Sequence, residues 1–215
     1  PVIHKDFAKI NIRTKVCLPK NVDPGLYTIE TVIFDSSHKE IQKTKTSLTS
    51  LLYGDISQEI VVKNPVLWSP DQPVLYTAKT FLYEGTTLKD QYSTPFGIRS
   101  IEIIPEKGFF LNGEKTVFKG VCNHHDLGPL GAAVNDAAIR RQIRLLKDMG
   151  CNAIRTSHNM PAPELVKACD EMGMMLMVES FDEWNTPKCK NGYNLFFDEW
   201  AEKDLVNLIW NYRNN

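Results

Sequence analysis

Gly150-Cys151-Asn152-Ala153-Ile154-Arg155-Thr156-Ser157-His158-Asn159 is the stretch on which the fold turns. A glycine suited to closing a helix is followed at once by a short strand, residues 151–156, which ends in a charged and polar cluster. Helix, buried strand and polar loop in that order are the grammar of a parallel α/β fold, where ligand-bearing side chains collect at the strand ends. Upstream, Asn135 is placed to cap a helix in which Ile139, Ile143 and Leu146 recur at helical spacing. Residues 117–122 read as the strand before that helix. Downstream, residues 161–172 predict a second helix with Leu165, Cys169 and Met172 on one stripe, closed by Gly173. Residues 174–179 predict a third strand, and residues 197–212 a third helix with Leu205, Leu208, Ile209 and Tyr212 facing inward.

This half is therefore βαβαβα, which implies a parallel sheet covered by helices. A doubly wound open sheet and part of a (β/α)8 barrel both fit. No GxGxxG follows the first strand, which weakens the nucleotide-binding version. A complete barrel needs about 250 residues, so three units are the start of one.

The first hundred residues follow a different rule. In residues 9–18, Ile10, Ile12, Thr14, Val16 and Leu18 alternate with Asn11, Arg13 and Lys15, as in a half-buried antiparallel strand. Residues 27–34, 56–62, 75–83 and 99–104 continue the pattern, with turn signals such as Asp23-Pro24-Gly25 and Glu84-Gly85 between them. A small immunoglobulin-like β-sandwich is expected. Phe109 to Leu111, Asn112-Gly113 and Thr116 to Phe118 read as a hairpin with a type I′ turn. The expected domains are a sandwich over 1–104 and the N-terminal part of a barrel over 105–215.

With 25 basic and 26 acidic residues the 215-residue chain has a formal net charge of −1, which excludes a basic nucleic-acid footprint. No apolar run approaches the roughly 20 residues of a membrane span, and the chain opens with no basic-plus-apolar leader. The compartment, cytoplasmic or periplasmic, stays open. Five cysteines with no CxxC spacing are expected to be buried thiols, Cys122, Cys151 and Cys169 in apolar surroundings.

The polar residues sit where the α/β rule wants them. The three strands end in Asn123-His124-His125-Asp126, in Arg155 to Asn159, and in Glu179-Ser180-Phe181-Asp182-Glu183-Trp184. His124 and His125 are adjacent, so on extended backbone only one faces a site. His124, Asp126, His158 and Glu179 are acceptable metal ligands, yet that adjacency argues against a catalytic metal. Trp184, in a loop beside acids, suits a stacking platform. Ser157 is not in a GxSxG elbow, which disfavours a serine triad.

These residues carry a resemblance. Phe110-Leu111-Asn112-Gly113, Lys119 through Asp126, and Gly150 through Asn159 are similar to glycoside hydrolase family 2, and most like its β-galactosidases. Asn64-Pro65-Val66-Leu67-Trp68-Ser69-Pro70-Asp71 and Phe96-Gly97-Ile98-Arg99 resemble the closing strands of that family's immunoglobulin-like domain. The resemblance implies a retaining exo-glycosidase on a (β/α)8 barrel, acting on terminal β-galactosides. It also implies that His124 and His158 contact the sugar and that Arg155 braces carboxylates. Asn123, Asp126, Asn159, Glu179, Asp182 and Trp184 would then surround the subsite, with Glu183 beside them. A β-glucuronidase, a β-mannosidase and a non-catalytic carbohydrate-binding fragment are the alternatives. Some members bind magnesium through a Glu-x-His pair; here Trp184 and Asn185 follow Glu183, the histidine is missing, and no metal or cofactor is expected.

Retaining hydrolysis needs two carboxyl groups about 5–5.5 Å apart. In the family the acid/base glutamate closes an Asn-Glu motif on the fourth strand, and Arg213-Asn214-Asn215 resembles the start of that signature. Acid/base and nucleophile are thus expected beyond Asn215, and the chain alone is expected to be inactive. An uncovered third strand predicts self-association or poor order in the second half.

Overall fold

Alternation in the first half produces two facing sheets. The structure, a computed structural model, describes residues 1–49 and 53–215. The chain divides into two units, Pro1–Ser69 with Val74–Lys115, and Pro70–Pro73 with Thr116–Asn215. In the first unit, β1 (Val2–Ile3), β2 (Phe7–Cys17) and β5 (Tyr53–Lys63) form one antiparallel sheet in the order β1-β2-β5. The other sheet holds β3 (Tyr27–Phe34), β4 (Glu40–Ser47), β6 (Tyr76–Glu84) and β7 (Thr87–Phe96) in the order β4-β3-β6-β7. Ala8, Ile10, Ile60 and Val62 from one sheet meet Ile33, Tyr76 and Ala78 from the other, which is the packing of a β-sandwich. A second cluster, including Val16, Tyr27, Ile29, Leu48 and Ile56, fills the other end.

One polar pair crosses this interior. The Thr31 hydroxyl in β3 donates to Gln58 Oε1 in β5 at 2.6 Å. Gln58 Nε2 in turn donates to the Ile29 carbonyl at 3.3 Å and to Thr46 Oγ1 at 3.1 Å. Both residues are buried, and the network satisfies groups that would otherwise be stranded away from water.

Two strands escape the alternation reading. β4 has no buried residue and β7 is exposed almost throughout. They are the two edges of the four-stranded sheet, and an edge strand without a buried face leaves no hydrophobic signature. The hairpin is present as β8 (Ile101–Ile104), β9 (Gly108–Leu111) and β10 (Glu114–Lys115), in the order β10-β9-β8. Its last strand starts at Glu114, earlier than the expected residue 116. Asn112 (φ 54°) and Gly113 (φ 81°) make the two-residue turn, with the positive φ at both positions that type I′ requires. Asn112 Oδ1 accepts from the Ser100 amide and its Nδ2 donates to the Trp68 carbonyl, each at 3.0 Å.

The second unit holds β11 (Gly120–Asn123), β12 (Ala153–Thr156) and β13 (Met175–Val178), paired parallel in chain order. Between and after them run α1 (Asp136–Asp148), α2 (Pro163–Met172) and α3 (Phe197–Tyr212). Asn135 caps α1, accepting the Ala138 amide at 3.0 Å. Ile139, Ile143 and Leu146 are buried against Ile154, Ala168, Cys169 and Met174. Gly173 takes the left-handed conformation that ends α2. The Lys147 ammonium is set among backbone oxygens, donating to Pro70 and Met172 at 2.7 Å and to Gly173 at 3.1 Å.

Two expectations are corrected. α3 buries none of its residues; Leu205 and Ile209 are exposed and Leu208 and Tyr212 only half-buried. Among the described residues β13 is the last strand of this sheet, so no later strand follows for the apolar side of α3 to cover. The cysteines are not uniformly buried: Cys17, Cys122 and Cys189 are exposed, Cys151 is intermediate, and Cys169 alone is buried. Cys122 lies on the strand face turned away from the helices, which pack on the opposite face through Val121, Ile154 and Leu176. Burial pushes the Cys169 thiol up to about 12, with help from the Asp170 charge. No helix of the described residues is long and apolar enough to cross a membrane.

Candidate functional site

Register decides which side chains share the site. Cys122, Arg155 and Met177 are aligned across β11, β12 and β13. Two residues further along, His124 and Glu179 continue on that same face. The Glu179 amide donates to Thr156 Oγ1 at 3.1 Å, which fixes the end of β13 beside the end of β12. The Ser157–His158 peptide is cis.

Six charged or titratable groups converge there: Cys122, His124, Arg155, His158, Glu179 and Asp182. Arg155 Nε pairs with Glu179 Oε1, and Arg155 Nη1 donates to Cys122 Sγ at 3.1 Å. His158 Nδ1 lies 2.8 Å from Glu179 Oε2. His158 Nε2 lies 4.0 Å from Asp182 Oδ1. The ring of His124 meets that of His158 edge-on, with centroids 5.1 Å apart and planes at 85°. Burial pushes the Glu179 carboxyl up, but the hydrogen bonds and charges of His158 and Arg155 outweigh it and hold the group below its ordinary range. The Arg155 guanidinium is raised by its bond to Cys122 and then by Glu179.

The remaining candidates are dispersed. The Asn123 carbonyl accepts the Ser157 amide at 2.9 Å. Asn123 Nδ2 and Ser157 Oγ are buried with no hydrogen-bond partner among the described residues. Asp126 caps its own turn, accepting the Gly128 amide at 2.8 Å. Trp184 is 68% exposed. Asn159 and Asp182 line an open cavity of about 340 Å³ together with Phe181, Tyr193 and Asp204. Tyr193 donates to Asp204 at 2.6 Å, and burial followed by this bond pushes its phenol up to about 12.

Lys188 was not foreseen from the sequence, and Glu183, expected around the subsite, takes a role its residue type did not reveal. Lys188 Nζ donates to the Asp182 carbonyl at 2.6 Å and to its Oδ1 at 3.2 Å. Glu183, one of several acids in its loop, is 4% exposed. Its carboxylate accepts the amides of Lys188 at 2.7 Å and Asn194 at 2.9 Å. With both oxygens so engaged and Asn185 where a histidine ligand would be, these donors do not fit the magnesium site of the resemblance. Among the described residues no three His, Cys, Asp or Glu side chains gather in a metal-binding group.

Comparison with known proteins adds the decisive observation. The model of glycosyl hydrolases family 2 matches residues 1–99, and the model of that family's TIM barrel domain matches residues 102–203. The chain belongs to glycosyl hydrolases family 2. The chain holds the family 2 sandwich and the first βα units of the family 2 TIM barrel. The chain is 41% identical over 210 residues to a beta-galactosidase of Bacteroides ovatus, a match covering 97% of this chain and 25% of the relative. It is 34% identical over 184 residues to a beta-glucuronidase of Streptococcus agalactiae, covering 81% of this chain and 29% of the relative. A crystal structure of a family 2 member from Bacteroides cellulosilyticus superposes with a TM-score of 0.90 at 34% identity, over 100% of this chain and 28% of that one. The chain thus spans about a quarter of the length of these relatives.

Proposed function

We propose that this chain forms the sugar-facing start of a retaining exo-glycosidase that removes terminal β-linked galactose. The observation that carries the reading is the Arg155–Glu179–His158 cluster at the carboxyl ends of parallel strands, with His124 against it. Its polar atoms suit the hydroxyls of a hexose. Glu179 is held ionised by His158 and Arg155, so it accepts hydrogen bonds. A general acid needs the opposite shift, and that role falls to a carboxyl group outside this chain, as does the nucleophile. Asn123, Asn159, Asp182 and Trp184 extend the sugar-binding surface, and Asp126 supports the first loop. Copies of the chain alone associate through the open edges of the parallel sheet.

Likeness to a protein named beta-galactosidase over 97% of the chain supports galactose as the sugar. Likeness to one named beta-glucuronidase favours a glucuronide as the second reading. The test is a panel of nitrophenyl β-galactoside, β-glucuronide and β-mannoside. It is assayed on the 215-residue chain and on the protein expressed with its flanking coding sequence. Turnover of the galactoside by the longer protein and none by the chain is expected. Turnover by the chain itself, or preference for another sugar, overturns the reading.

A further inference from the structure

Glu183 is a carboxylate turned away from solvent in a loop that otherwise faces it. Burying such a group is unfavourable unless strong donors meet both oxygens. Here the donors are backbone amides five and eleven residues downstream, those of Lys188 and Asn194. The carboxylate therefore gathers residues 183–194 around itself. The chain closes tightly on it: a Cβ at Gly192 would overlap the Glu183 carboxylate, so a larger residue there would have to push that carboxylate aside. The same fold of the loop brings the Lys188 side chain back to Asp182, where it binds both the carbonyl and the carboxylate. Asp182 then stands 4.0 Å from the far nitrogen of His158, whose near nitrogen is held by Glu179.

We propose that Glu183 is a positioning residue for this site: by binding the Lys188 and Asn194 amides it sets the loop in the shape in which Lys188 turns Asp182 toward His158. Glu183 does not touch the sugar and does not hold a metal; its two oxygens are spent on the loop. The geometry of His158 between two carboxylates is thereby determined by a residue that contacts neither His158 nor Asp182 through its own side chain. The kinetic consequence rests on the glycosidase reading above, whereas the structural one stands without it.

The test uses the 215-residue chain labelled for NMR, at one neutral pH, comparing E183A, E183Q, G192A, D182N and the double variant D182N/E183A. In E183A, amide exchange at Lys188 and Asn194 accelerates about ten- to a hundredfold, as the loss of hydrogen bonds to a charged group implies. The His158 ring resonances move in the direction seen in D182N, and the double variant moves them no further than D182N does. E183Q, which keeps an accepting oxygen, recovers part of the shift. G192A leaves Glu183 in place but displaces its carboxylate, and reproduces E183A even where E183A folds poorly. Unmoved His158 resonances in folded E183A or G192A, or shifts additive with those of D182N, overturn the proposal. In the longer protein, E183A raises KM for the nitrophenyl galactoside and lowers kcat/KM about tenfold or more, with partial recovery in E183Q. A longer protein without galactosidase activity overturns the proposed function and leaves the NMR outcome to decide this one.

Discussion

Arg155 and Glu179 stand on neighbouring strands at one end of the parallel sheet, and the guanidinium holds the carboxylate from one side while His158 holds it from the other. Arg155 also reaches Cys122 on the first of these strands, so one side chain ties all three strand ends together. Arg155→Met in the longer protein should lower kcat/KM for the nitrophenyl galactoside by about tenfold to a hundredfold. Arg155→Lys should recover little, because a single ammonium does not reproduce a fork that meets carboxylate and thiol together. Steady-state kinetics on both variants check this, and full activity in Arg155→Lys would refute the bracing role.

The Glu179 shift has a definite sign. A carboxyl held below its ordinary value of 4.5 in the folded chain contributes stability that is fully present above that value. The contribution is lost as pH falls through the lowered folded value. Urea unfolding of the chain between pH 7 and pH 3 should show this loss starting below about 4.5. In Glu179→Gln that part of the pH dependence should be missing; an unchanged profile would count against the ion pair.

Inside the sandwich, Thr31 and Gln58 act as a unit. Thr31→Val strands a buried amide and should cost about 1–3 kcal/mol. Gln58→Leu removes the acceptor of the Thr31 hydroxyl, which keeps Thr80 Oγ1 at 3.2 Å, and the donor that served Ile29 and Thr46. The joint substitution should cost less than the sum of the two, with a coupling of about 0.5–3 kcal/mol. Urea denaturation of the four proteins closes the cycle, and simple additivity would dissolve the network.

Asn112 combines a turn conformation with two hydrogen bonds. Asn112→Ala loses both bonds and places an alanine at φ 54°, for an expected loss of about 1–3 kcal/mol. Asn112→Gly relieves the backbone but not the bonds, so its melting temperature should fall between wild type and Asn112→Ala. Equal melting temperatures for the two variants would assign the whole effect to the side-chain bonds.

Where burial was one-sided, periodicity revealed the fold. Ile10 and Val16 in β2, Ile139, Ile143 and Leu146 in α1, and the Asn112-Gly113 turn lie where their spacing and chemistry place them. β4 and β7 stayed hidden because no face of either is buried. α3 misled for the opposite reason: its apolar stripe is real in sequence, yet among the described residues no strand of the sheet lies beyond β13 to receive it. At the site, His124, Arg155, His158 and Glu179 were legible because strand ends concentrate chemistry. Glu183 was not, because an acid between Asp182 and Trp184 looks the same whether it points outward or folds eleven residues around itself. Asp126 also caps a turn, a role that depends on the Gly128 amide rather than on residue type.

The Lys147 ammonium among the carbonyls of Pro70, Met172 and Gly173 occupies the kind of oxygen-lined nest that many proteins fill with a potassium ion. Here the ion is covalently tethered. It cannot diffuse away, and dialysis or a chelator cannot remove it. That corner of the fold therefore does not depend on which cation the medium supplies, although its charge is still partly screened by salt. Acetylating that one nitrogen would erase the charge and leave three carbonyl dipoles converging without the cation that holds them.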